Sequence, residues 1–186
     1  MKKVLLGLLL VTGLSVFNSQ AQMQVGAFGT YNKLLGDAGD GAPAGFGGGV
    51  DFKYFVSKKF ALGANLGYIS HSQEEEFFGI KTKVTTTILP ITVNAQYFFT
   101  EEGFRPYAGM GLGLYGLGGS LEVAGASEDF ETQNEFGLAP HVGAQYFFNE
   151  SVGLDLNLKY HYIMTEEEAT TAFGVNLGLV FQFGGK

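Results

Sequence analysis

The chain has 186 residues, a formal net charge of −7 and no cysteine. The acidic balance argues against a nucleic-acid partner, because binding to phosphates relies on lysine and arginine. Without cysteine, the protein uses neither disulfides nor thiol chemistry nor thiolate metal sites. The chain also carries 29 glycines and 18 phenylalanines, and so many aromatic residues beside the glycines exclude a disordered chain.

The first residues have the features of a secretory signal peptide. Lys2 and Lys3 precede a short apolar run over residues 4–11, and a stretch with small residues ends at Ala21. We predict that residues 1–21 are a signal peptide cleaved after Ala21. The apolar run is too short for a membrane-spanning helix. The alternative, a buried N-terminal helix, would have no other helical segment to pack on.

The remaining residues, 22–186, form the second predicted region, a single barrel domain. No long apolar stretch occurs there, and what recurs is an alternation of apolar with small or polar residues. A period of two is typical of β-strands with two different faces. It is clearest where every second residue from Val152 to Tyr162 is apolar. The alternation predicts eight strands, over residues 23–32, 45–56, 60–71, 80–99, 104–118, 133–148, 152–164 and 170–183.

The connections between these strands alternate in length. Short turns are predicted at 57–59, 100–103 and 149–151, and longer loops at 33–44, 72–79, 119–132 and 165–169. This alternation is typical of an up-and-down barrel with the loops at one rim and the turns and termini at the other. Eight strands can close into a ring, and closure removes the exposed edges of the sheet.

Two kinds of barrel fit this pattern. A soluble, lipocalin-like barrel would have its apolar face inside, whereas a membrane barrel would have it outside. A soluble exterior should be dense in charged residues, but the polar faces here are mostly glycine, asparagine, glutamine and threonine. Aromatic residues gather beside the turns and the C-terminus, as in the girdle of a membrane barrel: Tyr54, Phe55, Phe60, Tyr97, Phe98, Phe99, Phe104, Tyr107, Tyr146, Phe147, Phe148, Phe181 and Phe183. The predicted fold class is therefore all-β, an eight-stranded antiparallel up-and-down transmembrane β-barrel.

The last predicted strand carries a further signal. About ten residues suffice for a tilted strand to cross a bilayer, and this strand is long enough. Its final part runs polar-x-Gly-x-x-aromatic-x-aromatic through Asn176, Gly178, Phe181 and Phe183. This order resembles the C-terminal insertion signal of bacterial outer-membrane β-barrels, with the difference that three residues follow the last aromatic one.

Two further blocks carry the same resemblance. Residues 89–99 read Leu-Pro-Ile-Thr-Val-Asn-Ala-Gln-Tyr-Phe-Phe, and residues 105–113 read Arg-Pro-Tyr-Ala-Gly-Met-Gly-Leu-Gly. Together with the last strand, they make residues 22–183 similar to the outer-membrane β-barrel domain family, such as OmpX and the OmpA transmembrane domain. The resemblance implies a protein of the outer membrane of a Gram-negative bacterium, with turns and termini in the periplasm and loops outside.

The polar faces of the strands would line a lumen about wide enough for side chains to fill. Seven residues on these faces are predicted to form a polar network that plugs it: Asp51, Lys53, Arg105, His141, Asp155, Lys159 and His161. Buried charges persist when they are paired and hydrogen-bonded, so we expect mixed-sign pairing, with Arg105 and Asp155 in one network. His141 and His161 could share a metal, but two ligands make a poor site and hydrogen-bonded plug residues are favoured.

Three other motifs have structural explanations. Residues 111–116 fit the GxGxxG dinucleotide fingerprint, but no helix follows and the glycines continue a strand alternation. Ser70, His71 and Glu74 could suggest a hydrolytic triad, but alternation places Ser70 and His71 on opposite faces beside a predicted solvated rim. Asn149 heads a formal glycosylation sequon in a predicted tight turn.

Acidic residues are concentrated in the predicted outer loops, at 74–76, 128–131 and 166–168. A solvated rim is one explanation. The other is bridging by divalent cations to anionic lipopolysaccharide, because hard cations favour oxygen ligands.

The sequence thus predicts a non-enzymatic integral outer-membrane protein with a structural or surface-interaction role, and no catalytic residue, cofactor or metal. The expected partners are outer-membrane lipid, lipopolysaccharide and, during insertion, the barrel-assembly machinery, whereas nucleic acid is not expected and the partner of the loops stays open. Two alternatives are a small porin-like or ligand-conducting barrel and a lipid-modifying enzyme.

Overall fold

Eight strands form one closed ring in a computed structural model that describes residues 22–36, 39–77, 80–123, 126–165 and 168–184. Each strand pairs antiparallel with the next, and β1 pairs with β8. The predicted fold class is confirmed, whereas the predicted signal peptide lies outside the described residues. The strands are β1 Met23–Leu35, β2 Gly45–Phe55, β3 Phe60–Phe77, β4 Ile80–Phe98, β5 Phe104–Val123, β6 Ala126–Phe147, β7 Val152–Met164 and β8 Thr170–Phe183.

Three tight turns and both ends of the sheet lie at one rim, which we call the turn end; the opposite rim is the loop end. In the β6–β7 turn, Asn149 Oδ1 accepts hydrogen bonds of 2.9 Å from the backbone N–H groups of Ser151 and Val152. The apparent sequon therefore serves the turn itself. In the β4–β5 turn, Gly103 has a φ of 66°, in the left-handed region that favours glycine. No helix in the described residues is long and apolar enough to cross a membrane.

Two of the predicted loops are wrong, because four strands continue through them. β3 to β6 have 18, 19, 20 and 22 residues, whereas the other four have 11 to 14. β2 reaches only the level of Ser70, and β7 only that of Phe136. We call the part beyond those levels, residues 71–77, 80–87, 117–123 and 126–135, the projecting sheet. Most of it is exposed on both faces, so apolar alternation fades there although the strands stay paired.

The outer and inner faces of the barrel have the composition expected of a membrane barrel. Along β8, Leu177, Leu179 and Phe181 point outward and are 57%, 46% and 42% exposed, while Asn176 and Val180 are buried inside. The other strands repeat this arrangement, with large apolar side chains outside and polar ones inside. A continuous apolar exterior is unsuited to water and suited to lipid. The soluble, lipocalin-like alternative is therefore wrong.

Two buried apolar layers lie inside the barrel. The layer toward the loop end consists of Leu34, Ile69, Ile88, Tyr115, Ile163 and Ala172. The layer toward the turn end consists of Phe55, Ala61, Phe98 and Tyr107. Four members of the predicted lipid-facing girdle, Phe55, Phe98, Tyr107 and Phe147, thus point inward, because each lies on the lumen side of its strand's alternation. Apolar side chains thus reach into the lumen at two levels, with polar ones between them.

Candidate functional site: the polar lumen

Asp155 is the centre of the polar network. It lies on the lumen face of β7 and accepts hydrogen bonds from three different strands. Lys53 Nζ and Gln145 Nε2 donate to its Oδ2 at 2.6 and 2.8 Å, and the Tyr107 hydroxyl donates to its Oδ1 at 2.6 Å. Lys53 also forms an ion pair of 2.8 Å with Asp51. A buried carboxylate with this many donors is stabilised in its charged form and ties distant strands together.

Asparagine side chains extend this network toward the loop end. Asn176 Nδ2 on β8 donates to Asn157 Oδ1 on β7 at 3.2 Å, and Asn157 Nδ2 donates to the Tyr107 hydroxyl at 3.1 Å. Because Tyr107 in turn donates to Asp155, the donors point in one direction, from Asn176 to the carboxylate. Each bond polarises the next, which strengthens the chain as a whole.

Glutamines extend the network toward the turn end. Gln145 Nε2 donates to Gln24 Oε1 at 3.1 Å, and Gln24 Nε2 donates to Gln182 Oε1 at 3.1 Å. Arg105 Nη1 donates to the same Gln182 oxygen at 3.3 Å. Arg105 and Asp155 are therefore joined only through three glutamines.

Arg105 has aromatic rather than acidic neighbours. Its guanidinium lies 4.9 Å from the ring centre of Phe55, 4.7 Å from that of Phe98 and 5.9 Å from that of Phe147. Cation–π attraction in a desolvated site replaces part of the lost hydration. Lys53 forms ion pairs with Asp51 and Asp155, whereas Arg105 has no ion pair within the described residues.

The two histidines of the predicted network are held by separate partners. His141 is hydrogen-bonded to Gln96 Nε2 at 3.0 Å and to the Ala139 carbonyl at 2.9 Å. His161 Nδ1 lies 3.0 Å from the Tyr115 hydroxyl. Among the described residues, no group of three or more histidine, cysteine or acidic side chains could hold a metal ion.

The third histidine, His71, is not at a solvated rim. It is 3% exposed and lies on the lumen face, because β3 continues past it to Phe77. Ser70 is on the opposite face of the same strand, since Ile69 and His71 on either side of it are buried. These two side chains cannot act on one substrate from opposite faces of a sheet.

Small residues make room for the aromatic rings of the lumen. A Cβ atom at Gly143 would lie 2.5 Å from the Tyr107 hydroxyl oxygen, and one at Gly137 would lie 2.7 Å from a ring carbon of Tyr115. Any side chain at these two positions would displace a ring that takes part in the hydrogen-bond network. The GxGxxG motif lies wholly within β5, as strand alternation predicts.

Sequence reasoning missed Gln24, which is completely buried and links β1 to both β6 and β8. Its neighbours Met23 and Val25 are exposed apolar residues, so alternation along β1 could have placed it inside. A Cβ atom at Gly178 would lie 2.7 Å from Phe28 Cβ and 2.9 Å from Phe28 Cα, so even a small side chain there would displace the neighbouring strand.

The four residues of the predicted insertion signal divide between the two faces of β8. Asn176 is buried and takes part in the lumen network. Phe181 and Phe183 are exposed on the exterior and pair in register with Val25 and Met23 of β1. The last two residues of the chain lie outside the described ones.

An apolar exterior around an interior lined by polar side chains defines an integral membrane protein of the β-barrel class. The outer membrane protein beta-barrel domain family matches residues 4–183, and the chain belongs to this family. It is accordingly a protein of the outer membrane of a Gram-negative bacterium, as its relatives' names also indicate.

Two curated relatives match part of the chain. The uncharacterized outer-membrane protein y4mB of Sinorhizobium fredii is 30% identical over 122 residues, which cover 64% of this chain and 52% of that protein. Outer membrane protein W of Vibrio cholerae is 37% identical over 87 residues, which cover 43% of this chain and 40% of that protein. The chain thus spans about half the length of these relatives or less.

Solved structures share the fold at low sequence identity. Neisserial surface protein A has a TM-score of 0.60 and 20% identity, over 87% of this chain and 97% of the other. OprG of Pseudomonas aeruginosa has a TM-score of 0.57 and 16% identity, over 90% and 98%. Ail of Yersinia pestis, in complex with the heparin analogue sucrose octasulfate, has a TM-score of 0.55 and 14% identity, over 88% and 97%. These likenesses establish the barrel architecture.

Proposed function

We propose that this protein is a non-enzymatic outer-membrane barrel that is closed by its own side chains and interacts with the cell surface through the projecting sheet. The observation that carries the proposal is the unequal length of the strands, which leaves the outer segments of β3 and β6 without a neighbour on one side. Nearly all of residues 126–135 are exposed. Unpaired strand edges and an exposed sheet are features of interaction surfaces.

The projecting sheet is also strongly acidic, and this charge limits the classes of ligand that it can bind. It carries two lysines, Lys81 and Lys83, and eight carboxylates, namely Glu74, Glu75, Glu76, Glu122, Glu128, Asp129, Glu131 and Glu135. Direct binding of an anionic ligand, such as the sulfated sugar in the Ail structure, is disfavoured by this charge. Anionic lipopolysaccharide beside the barrel would instead contact the carboxylates through divalent cations, which prefer oxygen ligands.

The non-enzymatic role is supported by the placement of the polar side chains. Ser70 and His71 are on opposite faces, and the hydroxyl of Tyr107 is engaged with Asp155 and Asn157 inside the barrel. The apolar layers above and below this network support a closed lumen. A polar cavity of about 40 Å³ between them is the one observation that favours the small-porin alternative.

Amide hydrogen exchange in nanodiscs tests the surface role. With lipopolysaccharide present, Mg²⁺ should slow the exchange of residues 126–135, and replacing Glu128, Asp129 and Glu131 by their amides should abolish that slowing. Lys81→Gln with Lys83→Gln, which removes charges of the opposite sign, is the matched control and should keep the response. Equal slowing in nanodiscs without lipopolysaccharide, or in the amide variant, would contradict the proposal.

We also propose that Phe181 and Phe183 belong to the signal by which the barrel-assembly machinery recognises the last strand. Replacing both by alanine should lower the amount of folded protein in the outer membrane more than it lowers refolding of purified protein in detergent. Phe104 and Phe148 are exposed aromatic residues at the same end but on other strands, so their double alanine variant is the control. Equal membrane yields from the two double variants would refute the signal.

A further inference from the structure

Lys159 differs from the other cations of the lumen. Its side chain lies on the lumen face of β7 and is only 6% exposed. Lys53 is neutralised by two carboxylates and Arg105 is surrounded by aromatic rings, whereas Lys159 forms no hydrogen bond or ion pair with any described residue. A buried ammonium without a partner is costly, and a negatively charged group beside it would lower that cost.

The charges inside the barrel do not balance. Three cations, Lys53, Arg105 and Lys159, are buried there with two acidic side chains, Asp51 and Asp155. Both carboxylates are already in contact with Lys53. With the histidines neutral, the lumen carries one positive charge more than it carries negative charges, and among the described residues Lys159 has no ion pair.

Lys159 lies in the wall of a polar cavity. The cavity has a volume of about 40 Å³, enough for roughly three water molecules. The amides of Asn65, Asn94 and Asn176 line it together with Lys159, and Asp51 and Asp155 line it as well. A second space of about 10 Å³ adjoins Lys159 on the side of His161 and Thr30. Lys159 therefore lies beside two small spaces, the larger of which is lined by the asparagines and carboxylates named above.

We propose that Lys159 binds one small monovalent inorganic anion, of the size of a halide, inside this cavity. One uncompensated cation calls for one negative charge. Asp51 and Asp155 line the same cavity and would repel an anion of higher charge, while the volume excludes a large organic anion. Amide N–H groups of the surrounding asparagines can complete the shell of donors.

The bound anion would act as a structural counterion of the plug. It neutralises the excess charge at the middle of the lumen, in the region between the two apolar layers. This inference concerns stability and does not depend on the role of the projecting sheet.

Crystals of the full-length folded protein grown in sodium bromide test the site directly. Bromide scatters anomalously, and a peak within about 3.5 Å of Lys159 Nζ is expected, a distance at which an ammonium still donates to an anion. The peak should be absent in Lys159→Met. A wild-type crystal without the peak, or one in which Lys159 pairs with Asp51, would overturn the proposal.

Urea unfolding at constant ionic strength provides the second test. For a binding constant of about 10 mM, replacing gluconate by about 100 mM chloride or bromide should shift the folding equilibrium of the wild type roughly tenfold. Lys159→Met and Lys159→Gln should lose this halide dependence. The control Lys33→Met removes an exposed lysine near the loop end and should retain it. Equal halide dependence in the wild type and both Lys159 variants would contradict the proposal, and if neither variant folds, the bromide peak decides.

Discussion

The lumen and the projecting sheet are made from the same strands but have opposite environments. In the lumen, one face of each strand is buried, and the polar side chains there are joined from Arg105 to Asn176 by one hydrogen-bond network. In the projecting sheet, most side chains are exposed, and the ion pair of Lys83 with Glu74 has a separation of 3.6 Å with both partners in solvent. The strands are paired in both regions, but the polar side chains differ in what they contribute to stability. We expect them to hold the barrel together only where water is excluded.

The largest expected difference in stability is between two variants, each of which lacks one carboxylate from one of the two regions. Asp155→Ala leaves Lys53 with one carboxylate, deprives Tyr107 of its acceptor and removes one of the two acceptors of Gln145, so we expect the free energy of unfolding to fall by about 3–5 kcal/mol. Asp129→Ala on the projecting sheet should change it by about 0.5 kcal/mol or less. Urea unfolding in detergent micelles measures both, and similar losses would erase the distinction between the regions.

The double variant Asp155→Ala with Lys53→Met sharpens this comparison. Once one partner of the ion pair is gone, removing the other should cost less than it does in the wild type, so the double loss should be smaller than the sum of the single losses. Strictly additive losses would show that the two charges do not stabilise each other.

The second comparison uses two apolar residues with similar exposure but different surroundings. Leu177 on the barrel exterior is 57% exposed and Phe130 on the projecting sheet is 52% exposed. Leu177→Arg should cost about 2–4 kcal/mol because it places a charge in lipid near the middle of β8. Phe130→Arg should cost about 0.5 kcal/mol or less because the side chain stays in water. Unfolding of the barrel in liposomes distinguishes the two, and equal costs would refute the assignment of the membrane-facing surface.

The smallest expected loss of stability comes from replacing one cation in each region. Arg105→Met removes three ring contacts and a hydrogen bond in a desolvated site and should cost about 2 kcal/mol. Lys83→Met, which removes an exposed ion pair, should cost about 0.5 kcal/mol or less. Since Arg105 and Asp155 are joined only through glutamines, their losses should add within about 0.5 kcal/mol, and a strong coupling in a double-mutant cycle would place them in direct contact.

Alternation was sufficient to predict the barrel itself. Where a strand separates lipid from a filled lumen, as from Val152 to Tyr162, every second side chain must be apolar, and the pattern is unambiguous. The same pattern fades in β3 beyond His71 and in β6 before Gln133, because both faces there meet water. Backbone pairing continues through these segments, but it leaves no trace in the order of apolar residues.

The pairing of the lumen charges was less predictable. Alternation placed Asp51, Lys53, Arg105 and Asp155 on the correct face, but face alone does not specify which side chains meet across a closed ring. That choice depends on the stagger of the strands, which brings Lys53 of β2 to Asp155 of β7 and leaves Arg105 among Phe55, Phe98 and Phe147. The three inward phenylalanines were assigned to the lipid-facing girdle because their position beside a turn was given more weight than their place in the alternation of the strand.

Single-channel recording in planar bilayers tests the closed lumen most directly. The wild-type barrel should show no stable openings, because apolar layers around Tyr115 and Phe98 close the lumen on both sides of the polar network. Tyr115→Ala, which removes the largest side chain of the layer toward the loop end, should admit brief openings and serves as the positive control. Steady openings of the wild type that persist when the projecting sheet is shortened would contradict this account and establish a small pore.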